Sequence, residues 1–152
     1  MNCWILQCNI NHYRWIDQMR EHKNDLDTWG ISRFINEVER GDIAFIWLTK
    51  YKGEETRGIY AMAKITGLPD EKRKRFDWEG QYWIDKGEME RLNSLPRLEL
   101  QYIKFMIDRP LLVDGLEAAG LEGLLILRMH QRGIYKLAEE EAKKIKRMIE
   151  PR

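Results

Sequence analysis

The chain has 152 residues, and 26 Lys and Arg against 25 Asp and Glu leave a formal net charge of +1. This length fits one domain with a substantial core, and the near-neutral charge excludes nucleic-acid binding through a global positive field, so any such site must be a local patch. Hydrophobic residues make up 43% of the chain. No apolar run approaches the roughly 20 residues that a membrane-spanning helix needs. We therefore expect one globular domain over residues 1–152 and no membrane partner.

The N-terminal segment is predicted to be a buried strand, not an export signal. Residues 3–8 (CWILQC) are short and apolar, and no basic stretch precedes them. Cys3 and Cys8 are separated by an odd spacing, which places them on opposite faces of a strand, so no disulfide between them is expected. A reducing cytoplasm is the compartment that fits two free thiols.

Polar residues after the first strand predict a helix and then a loop. Asn9 or Asn11 is suited to cap a helix over residues 11–21. Residues 22–28 are polar and predict a loop, and residues 32–39 predict a short helix. Asn9 keeps two interpretations, as a helix cap and as a binding residue.

A glycine turn then introduces the central strands. Gly41-Asp42 is a turn signal, followed by a strand over residues 43–49 and a returning hairpin strand over residues 58–66. The later elements are predicted as a basic loop over 67–80, strands over 81–85, 97–106 (with a bulge) and 133–137, a helical turn over 88–95, short helices within 111–128 and a helix over 139–149. Strands mixed with peripheral helices predict an α+β fold with a small sheet that is mostly antiparallel or barrel-like.

The common catalytic and metal-binding motifs are absent from the sequence. There is no P-loop, no GxGxxG and no CxxC, and the three histidines, His12, His22 and His130, lack ligand spacing. Cys8 is expected to be a buried strand residue and not a nucleophile. We therefore expect no metal, no cofactor and no enzymatic activity. A small hydrolase or nucleotide-processing enzyme remains the alternative from another class.

Two of the six tryptophans lie where burial alone would not place them. Trp29 stands between a polar stretch and Gly30, and Trp78 follows a run of basic residues. A flat aromatic face beside cations suits a nucleobase, because stacking and phosphate attraction then act together. The other four, which follow strand or helix patterning and are predicted to be core residues, are Trp4, Trp15, Trp47 and Trp83.

Two local clusters of basic residues are candidate contacts for a nucleic-acid backbone. The first is the run before Trp78, and the second lies near the end of the predicted short helices. Each is interpreted either as a solvated surface or as a phosphate contact, and phosphate contacts would make affinity fall steeply with salt. The residues are Lys72, Arg73, Lys74 and Arg75 in the first cluster, and Arg128 and Arg132, with His130, in the second.

The order of these segments resembles the EVE domain family, which is related to the YTH domains within the PUA-like superfamily. The segments that carry the resemblance are, in chain order, Trp4 to Asn9, Trp29-Gly30-Ile31, Glu39 to Trp47, Arg57 to Ile65, Tyr82 to Asp85, and Gln131 to Leu137 followed by Glu139-Glu140-Glu141. The resemblance implies a PUA-like pseudo-barrel that binds modified nucleobases, with a flipped-out methylated base held in an aromatic cage.

The resemblance also implies roles for particular residues. Trp29 and Trp78 would be two cage walls, Asn9 would face the base edge, and Gly30 would offer a backbone group. The third wall has two candidates, Leu68 and Tyr82.

The function implied is a non-enzymatic reader of modified bases in DNA, either N6-methyladenine or 5-methyl- or 5-hydroxymethylcytosine. An RNA-binding PUA-like module, for structured or methylated RNA, would use the same residues and is the alternative. Members of the family also form specificity domains of Mcr-type restriction systems, which implies an AAA+ motor and a nuclease subunit as partners. The chain itself carries no motor, so it is expected to stand alone or to be a fragment.

Overall fold

A computed structural model describes residues 1–52, 54–128 and 133–152. The strands are β1 (Cys3–Cys8), β2 (Leu26–Gly30), β3 (Ile43–Leu48), β4 (Gly58–Asp70), β5 (Arg97–Phe105), β6 (Leu111–Leu112) and β7 (Ile134–Lys136). The helices are α1 (Trp15–His22), α2 (Lys86–Asn93), α3 (Val113–Ala118), α4 (Leu125–Arg128) and α5 (Glu139–Ile149), with a 3₁₀ helix at Asp77–Tyr82. Within these ranges, no helix has the length and apolar character needed to cross a bilayer.

The strands form one curled sheet in the order β2-β5-β4-β3-β1-β7, with β6 paired to β4. The β1–β3 pair is parallel and the other pairs are antiparallel. The sheet closes only partly, as a half-barrel with helices around it. This architecture confirms the predicted α+β, PUA-like pseudo-barrel with a mostly antiparallel sheet.

The two faces of the sheet bury separate hydrophobic clusters. Alternation along β1 sends Trp4, Leu6 and Cys8 into the first cluster, and Cys3 and Ile5 into the second. The two cysteines are free and lie on opposite faces, as predicted. Burial raises the pKa of the Cys8 thiol, which keeps it protonated and unreactive.

Helix α5 covers the second face of the sheet. It buries Ala142, Ile145 and Ile149, which are three or four residues apart and therefore share one side of the helix. The helix occupies the predicted range 139–149. Because α5 and the short helices before it close this face, any cleft in the first face is separate from them.

The longest strand pair, β4 with β5, gives the sheet its curl. Its register shifts at three places, which confirms the bulge predicted within residues 97–106. At the start of β4, Gly58 lies so close to β6 that a Cβ atom there would be 2.3 Å from the Leu111 carbonyl oxygen. Only glycine allows this approach.

The Gly41-Asp42 turn before β3 is built around a buried carboxylate. Gly41 has φ of +91°, and Asp42 is 1% exposed. The Asp42 side chain accepts hydrogen bonds from the indole Nε1 of Trp4 at 2.9 Å and from the backbone N–H groups of Asn2 and Glu39 at 3.1 and 2.9 Å. This common turn signal therefore fixes the start of β3 against the start of β1.

Three local predictions are wrong. Residues 32–39 form turns and not a helix, with Phe34 at φ of +60°, so that its ring packs 5.2 Å from that of Trp4. Residues 81–85 form no strand, because the 3₁₀ helix extends to Tyr82 and only a single bridge, Tyr13 to Trp83, follows. The second half of the predicted loop 22–28 is strand β2, whose pairing with β5 overrides its polar composition.

Candidate functional site

A cavity of about 230 Å³ opens on the first face of the sheet. Its walls come from the end of β1, from β2, from the segment around the 3₁₀ helix, and from α2. The volume is below the ~300–1,000 Å³ typical of drug-sized pockets, so it suits a small flat group better than an extended ligand. Apolar and ionisable side chains both line it, which allows stacking and edge recognition in one place.

Two tryptophans, Trp29 and Trp83, line this cavity. Trp29 lies on β2, and Trp83 follows the 3₁₀ helix at its bridge to Tyr13. Trp83 was predicted to be a core residue, but it is only partly buried against the first cluster. The Arg75 guanidinium lies 4.9 Å from the Trp83 ring, so one face of this indole is already covered by a cation.

Trp78 is placed away from the cavity, in an aromatic stack of its own. Its ring is parallel to that of His22, with centroids 3.9 Å apart, and to that of Phe76 at 5.7 Å. The His22 ring in turn contacts Asp25, with Nδ1 2.9 Å from the carboxylate. The structure therefore does not bring Trp29 and Trp78 to one site.

Neither candidate for the third wall lines the cavity. Leu68 is 45% exposed on β4. Tyr82 is buried in the first cluster and its hydroxyl donates to the Glu21 carboxylate at 2.8 Å. Burial and this carboxylate raise the pKa of Tyr82 to about 12.

Asn9 and Gly30 do line the cavity. The Asn9 side-chain oxygen accepts from the backbone N–H of Asn11 at 3.0 Å, so it stabilises the turn after β1. The N-cap position of α1 is Arg14, so Asn9 does not cap that helix. At Gly30, a Cβ atom would lie 3.1 Å from Nη1 of Arg97. Because glycine has no side chain, the guanidinium group of Arg97 can occupy this space.

A buried carboxylate, Asp27, forms the polar floor of the site. It is 2% exposed and accepts three hydrogen bonds: from Gln18 Nε2 at 2.9 Å, from the Tyr102 hydroxyl, and from the Thr28 backbone N–H at 2.8 Å. Gln18 is itself held by the hydroxyl of Tyr13. Burial raises the pKa of Asp27, and these three donors act against that rise.

A second buried carboxyl, Glu79, lies beside Asp27 and two guanidinium groups. Its Oε2 is 2.7 Å from Nε of Arg75 and 3.8 Å from Nη2 of Arg97. Burial, followed by the neighbouring Asp27 charge, raises the pKa of Glu79 to about 8 despite the two cations. Arg97 also donates from Nε to the Thr28 hydroxyl at 3.0 Å, which ties β5 to β2 beneath the cavity.

The basic run divides into two inward and two outward side chains. Arg73 donates to the carbonyls of Leu68 and Arg97, and Arg75 donates to the Met89 carbonyl and the Asn93 side chain. Lys72, which precedes Arg73, and Lys74, which lies between the two arginines, are exposed. Only these two lysines of the run are therefore available to a phosphate backbone.

The second basic cluster is only partly covered by the structure. Arg128 is exposed at the end of α4. Arg132 and His130 lie outside the described residues. Within the described ranges, no group of three His, Cys, Asp or Glu side chains is placed to hold a metal ion.

Sequence reasoning missed the ionisable floor of the site and one of its tryptophans. Asp27 is two residues before Trp29, so strand periodicity would have put both on one face once residues 26–30 were assigned to a strand. Glu79 gave no such signal, since one acidic residue among 25 is not distinctive. Trp83 was assigned to a strand that does not form.

Comparison with known proteins gives one consistent answer on family and fold. The family model described as "EVE domain" matches residues 2–148. Among solved structures, human THYN1 in a complex with DNA containing 5-methylcytosine aligns at TM-score 0.65 and 15% identity, over 99% of this chain and 98% of that one. The DUF55 domain of human thymocyte nuclear protein 1 aligns at TM-score 0.67 and 16% identity, over 98% and 99%.

A hypothetical protein from Leishmania major aligns at TM-score 0.67 and 17% identity, over 99% of this chain and 96% of that one. No curated protein sequence matches the chain significantly. At these identities the solved structures establish the fold, and the family model, which spans nearly the whole chain, establishes the family. The chain belongs to the EVE domain family.

Proposed function

We propose that the protein is a non-enzymatic reader of a modified base in DNA and that it holds this base, flipped out of the duplex, in the cavity between Trp29 and Trp83. The observation that carries the proposal is that both indoles line one small cavity that also contains polar groups able to contact a base edge. Its fold neighbour THYN1 is described in complex with DNA containing 5-methylcytosine, which supports the same class of ligand here.

Cytosine methylated at C5 is the base we place first, and N6-methyladenine and 5-hydroxymethylcytosine are the competing bases. Extrusion costs a few kcal/mol, and stacking on an aromatic ring contributes ~1–3 kcal/mol per base. A methyl group adds only ~0.8 kcal/mol of burial, so selectivity must also come from the shape of the cavity and from its edge contacts.

The DNA backbone would be held outside the cavity by exposed cations. Lys72 and Lys74 carry no ion pair within the described residues, and they belong to the loop that also contributes Arg75 to the cavity wall. The Asn9 amide nitrogen lies on an exposed residue at the cavity and is available to donate to the base edge.

The test is fluorescence-polarisation binding, at fixed salt, to matched duplexes that contain plain cytosine, 5-methylcytosine, 5-hydroxymethylcytosine or N6-methyladenine. Trp29→Ala and Trp83→Ala should each weaken binding of the preferred duplex by about 5- to 150-fold, the equivalent of one lost stacking contact. Trp78→Ala is the matched control, since it removes the same side chain from a stack outside the cavity. If only Trp78→Ala removed discrimination, the cavity would not be the base site.

Matched RNA oligonucleotides belong in the same panel, because preference for RNA would indicate the RNA-binding alternative through contacts to the 2′-hydroxyl. We extend the proposal to a cytoplasmic setting, where the two free thiols stay reduced, and to an AAA+ motor and nuclease as partners in a restriction system. Co-purification of the tagged chain with such subunits from its own cells tests that extension.

A further inference from the structure

Four ionisable side chains meet at the wall of the cavity, and their hydrogen bonds are unequally distributed. Asp27 accepts three hydrogen bonds, which is the environment of an ionised carboxylate. Glu79 accepts no aligned hydrogen bond from an N–H group among the described residues, although Arg75 Nε lies 2.7 Å away and Arg97 Nη2 3.8 Å away. The hydrogen bonds therefore stabilise negative charge on Asp27, whereas on Glu79 only the two guanidinium groups do so.

The carboxyl groups of Glu79 and Asp27 are within hydrogen-bonding reach of each other, and two buried carboxyl groups so placed do not both ionise easily. Glu79 is 3% exposed and Asp27 2% exposed, so little solvent screens their repulsion. When one proton stays on the pair, the pair carries one negative charge against the two positive charges of Arg75 and Arg97. One positive charge is then left in excess at the cavity wall.

The N–H groups of the wall show the same excess of donors. Among the described residues, Nη2 of Arg75, Nη1 of Arg97 and Nε1 of Trp83 are buried without a hydrogen-bond partner, and Nε of Arg75 has only its ion-pair contact with Glu79. Buried donors of this kind are rare in native proteins because each unmet hydrogen bond leaves the desolvation of the donor uncompensated. All three residues line the cavity, so the complement of this wall is a ligand edge that brings acceptor atoms.

We propose that Glu79 controls binding at this cavity: a proton shared between the Glu79 and Asp27 carboxyl groups leaves the guanidinium pair with an excess positive charge, which holds the acceptor edge of the bound base. The inference rests on the proposed function and deepens it. Cytosine offers adjacent acceptors, the carbonyl O2 and the ring N3, whereas the corresponding edge of N6-methyladenine combines one acceptor with the methylated amino group. The cavity should therefore favour the cytosine derivative.

Because of the shared proton, binding of the base should weaken as pH rises. Burial and Asp27 raise the pKa of Glu79 to about 8, against Arg97 and Arg75, which lower it. Other titratable groups that face the cluster are Tyr13, from the bridge before α1, and Cys8, from the end of β1, and burial raises the pKa of both. Loss of the shared proton above pH 8 would remove the excess charge and weaken binding.

The experiment measures affinity for the 5-methylcytosine duplex at pH 7 and pH 9 in the wild type and in Glu79→Gln. The two proteins differ at no other ionisable group, so the difference between them isolates Glu79. The wild type should bind about tenfold more weakly at pH 9, because one proton with a pKa near 8 is linked to binding. Glu79→Gln, which keeps the shape and the neutral state at every pH, should change its own affinity by less than about twofold between pH 7 and pH 9.

A second measurement needs no DNA and separates the two proposals. Carbon-13 NMR of the carboxyl groups in the free wild-type protein, with Glu79 assigned from the Gln variant, should show this carboxyl titrating near pH 8. Titration near pH 4, or an equal loss of affinity in wild type and Glu79→Gln, would overturn the role of Glu79 even if the protein reads a modified base. Failure of every modified duplex to bind better than plain DNA would instead remove the proposed function.

Discussion

The raised pKa of Glu79 has a consequence for the stability of the folded chain, independent of any ligand. A glutamate ionises with an ordinary pKa of 4.5, but in the folded protein Glu79 ionises at about 8. Between these two values the folded chain binds one proton more than the unfolded chain, so the free energy of unfolding falls as pH rises. The contribution of Glu79 is complete below pH 4.5 and is lost through pH 8, at about 1.4 kcal/mol per pH unit.

Between pH 6 and pH 8 the wild type should therefore lose about 2 kcal/mol of stability relative to Glu79→Gln, which has no proton to release at this position. Urea denaturation followed by tryptophan fluorescence at pH 6, 7 and 8 measures this difference directly. Glu71→Gln, at an exposed position in the loop after β4, is the matched control and should follow the wild type. Equal slopes of stability against pH in wild type and Glu79→Gln would refute the reasoning.

Three further outcomes are expected from other parts of the molecule. Replacing both Lys72 and Lys74 by Ala should reduce the slope of log affinity against log salt by about 2, since each phosphate contact contributes about 0.9. Asp42→Ala should lower the free energy of unfolding by about 3 kcal/mol, because it leaves the buried Trp4 indole N–H without an acceptor. Gly58→Ala should cost about 1–3 kcal/mol, because backbone atoms of β6 occupy the space of the new methyl group.

Two of these predictions have a control variant, and each has a direct measurement. For the salt slope, Lys143→Ala with Lys144→Ala on α5 removes the same charge from the opposite face and should leave the slope unchanged. Urea denaturation checks the two stability variants, and Asp42→Asn should recover part of the loss because its amide oxygen still accepts. A Gly58→Ala protein as stable as the wild type would contradict the close packing of β4 on β6.

Periodicity and turn chemistry were sufficient for most of the fold. The range of α5 and the opposite faces of Cys3 and Cys8 followed from local patterns, because each element buries a regular stripe of side chains. Strand β2 was half missed, since a polar edge strand is stabilised by its partner β5 and not by its own composition. The turns over residues 32–39 depend on the left-handed backbone conformation of Phe34. No local sequence pattern predicts this conformation for a phenylalanine.

The lining of the candidate cavity was predicted in part, for a related reason. Asn9, Trp29 and Gly30 were identified from a resemblance that covers contiguous segments, and all three line the cavity. The partners that complete the site, Glu79 and Trp83, are distant in sequence from β2 and reach it only through tertiary packing. Trp78 lies close after the basic run in the sequence, but its ring stacks on that of His22, outside the cavity.

The cavity lies where the half-barrel fails to close. Strand β2 is one edge of the sheet and β7 the other, yet Trp29 from the first and Gly133, just before the second, line the same space. Across this seam the Nη2 group of Arg33 donates to the Ile134 carbonyl at 2.6 Å. A base bound in the seam would bridge β2 and β7, the two edge strands of the sheet, which are not paired with each other through backbone hydrogen bonds. We therefore expect a bound base to increase the resistance of these two strands to separation.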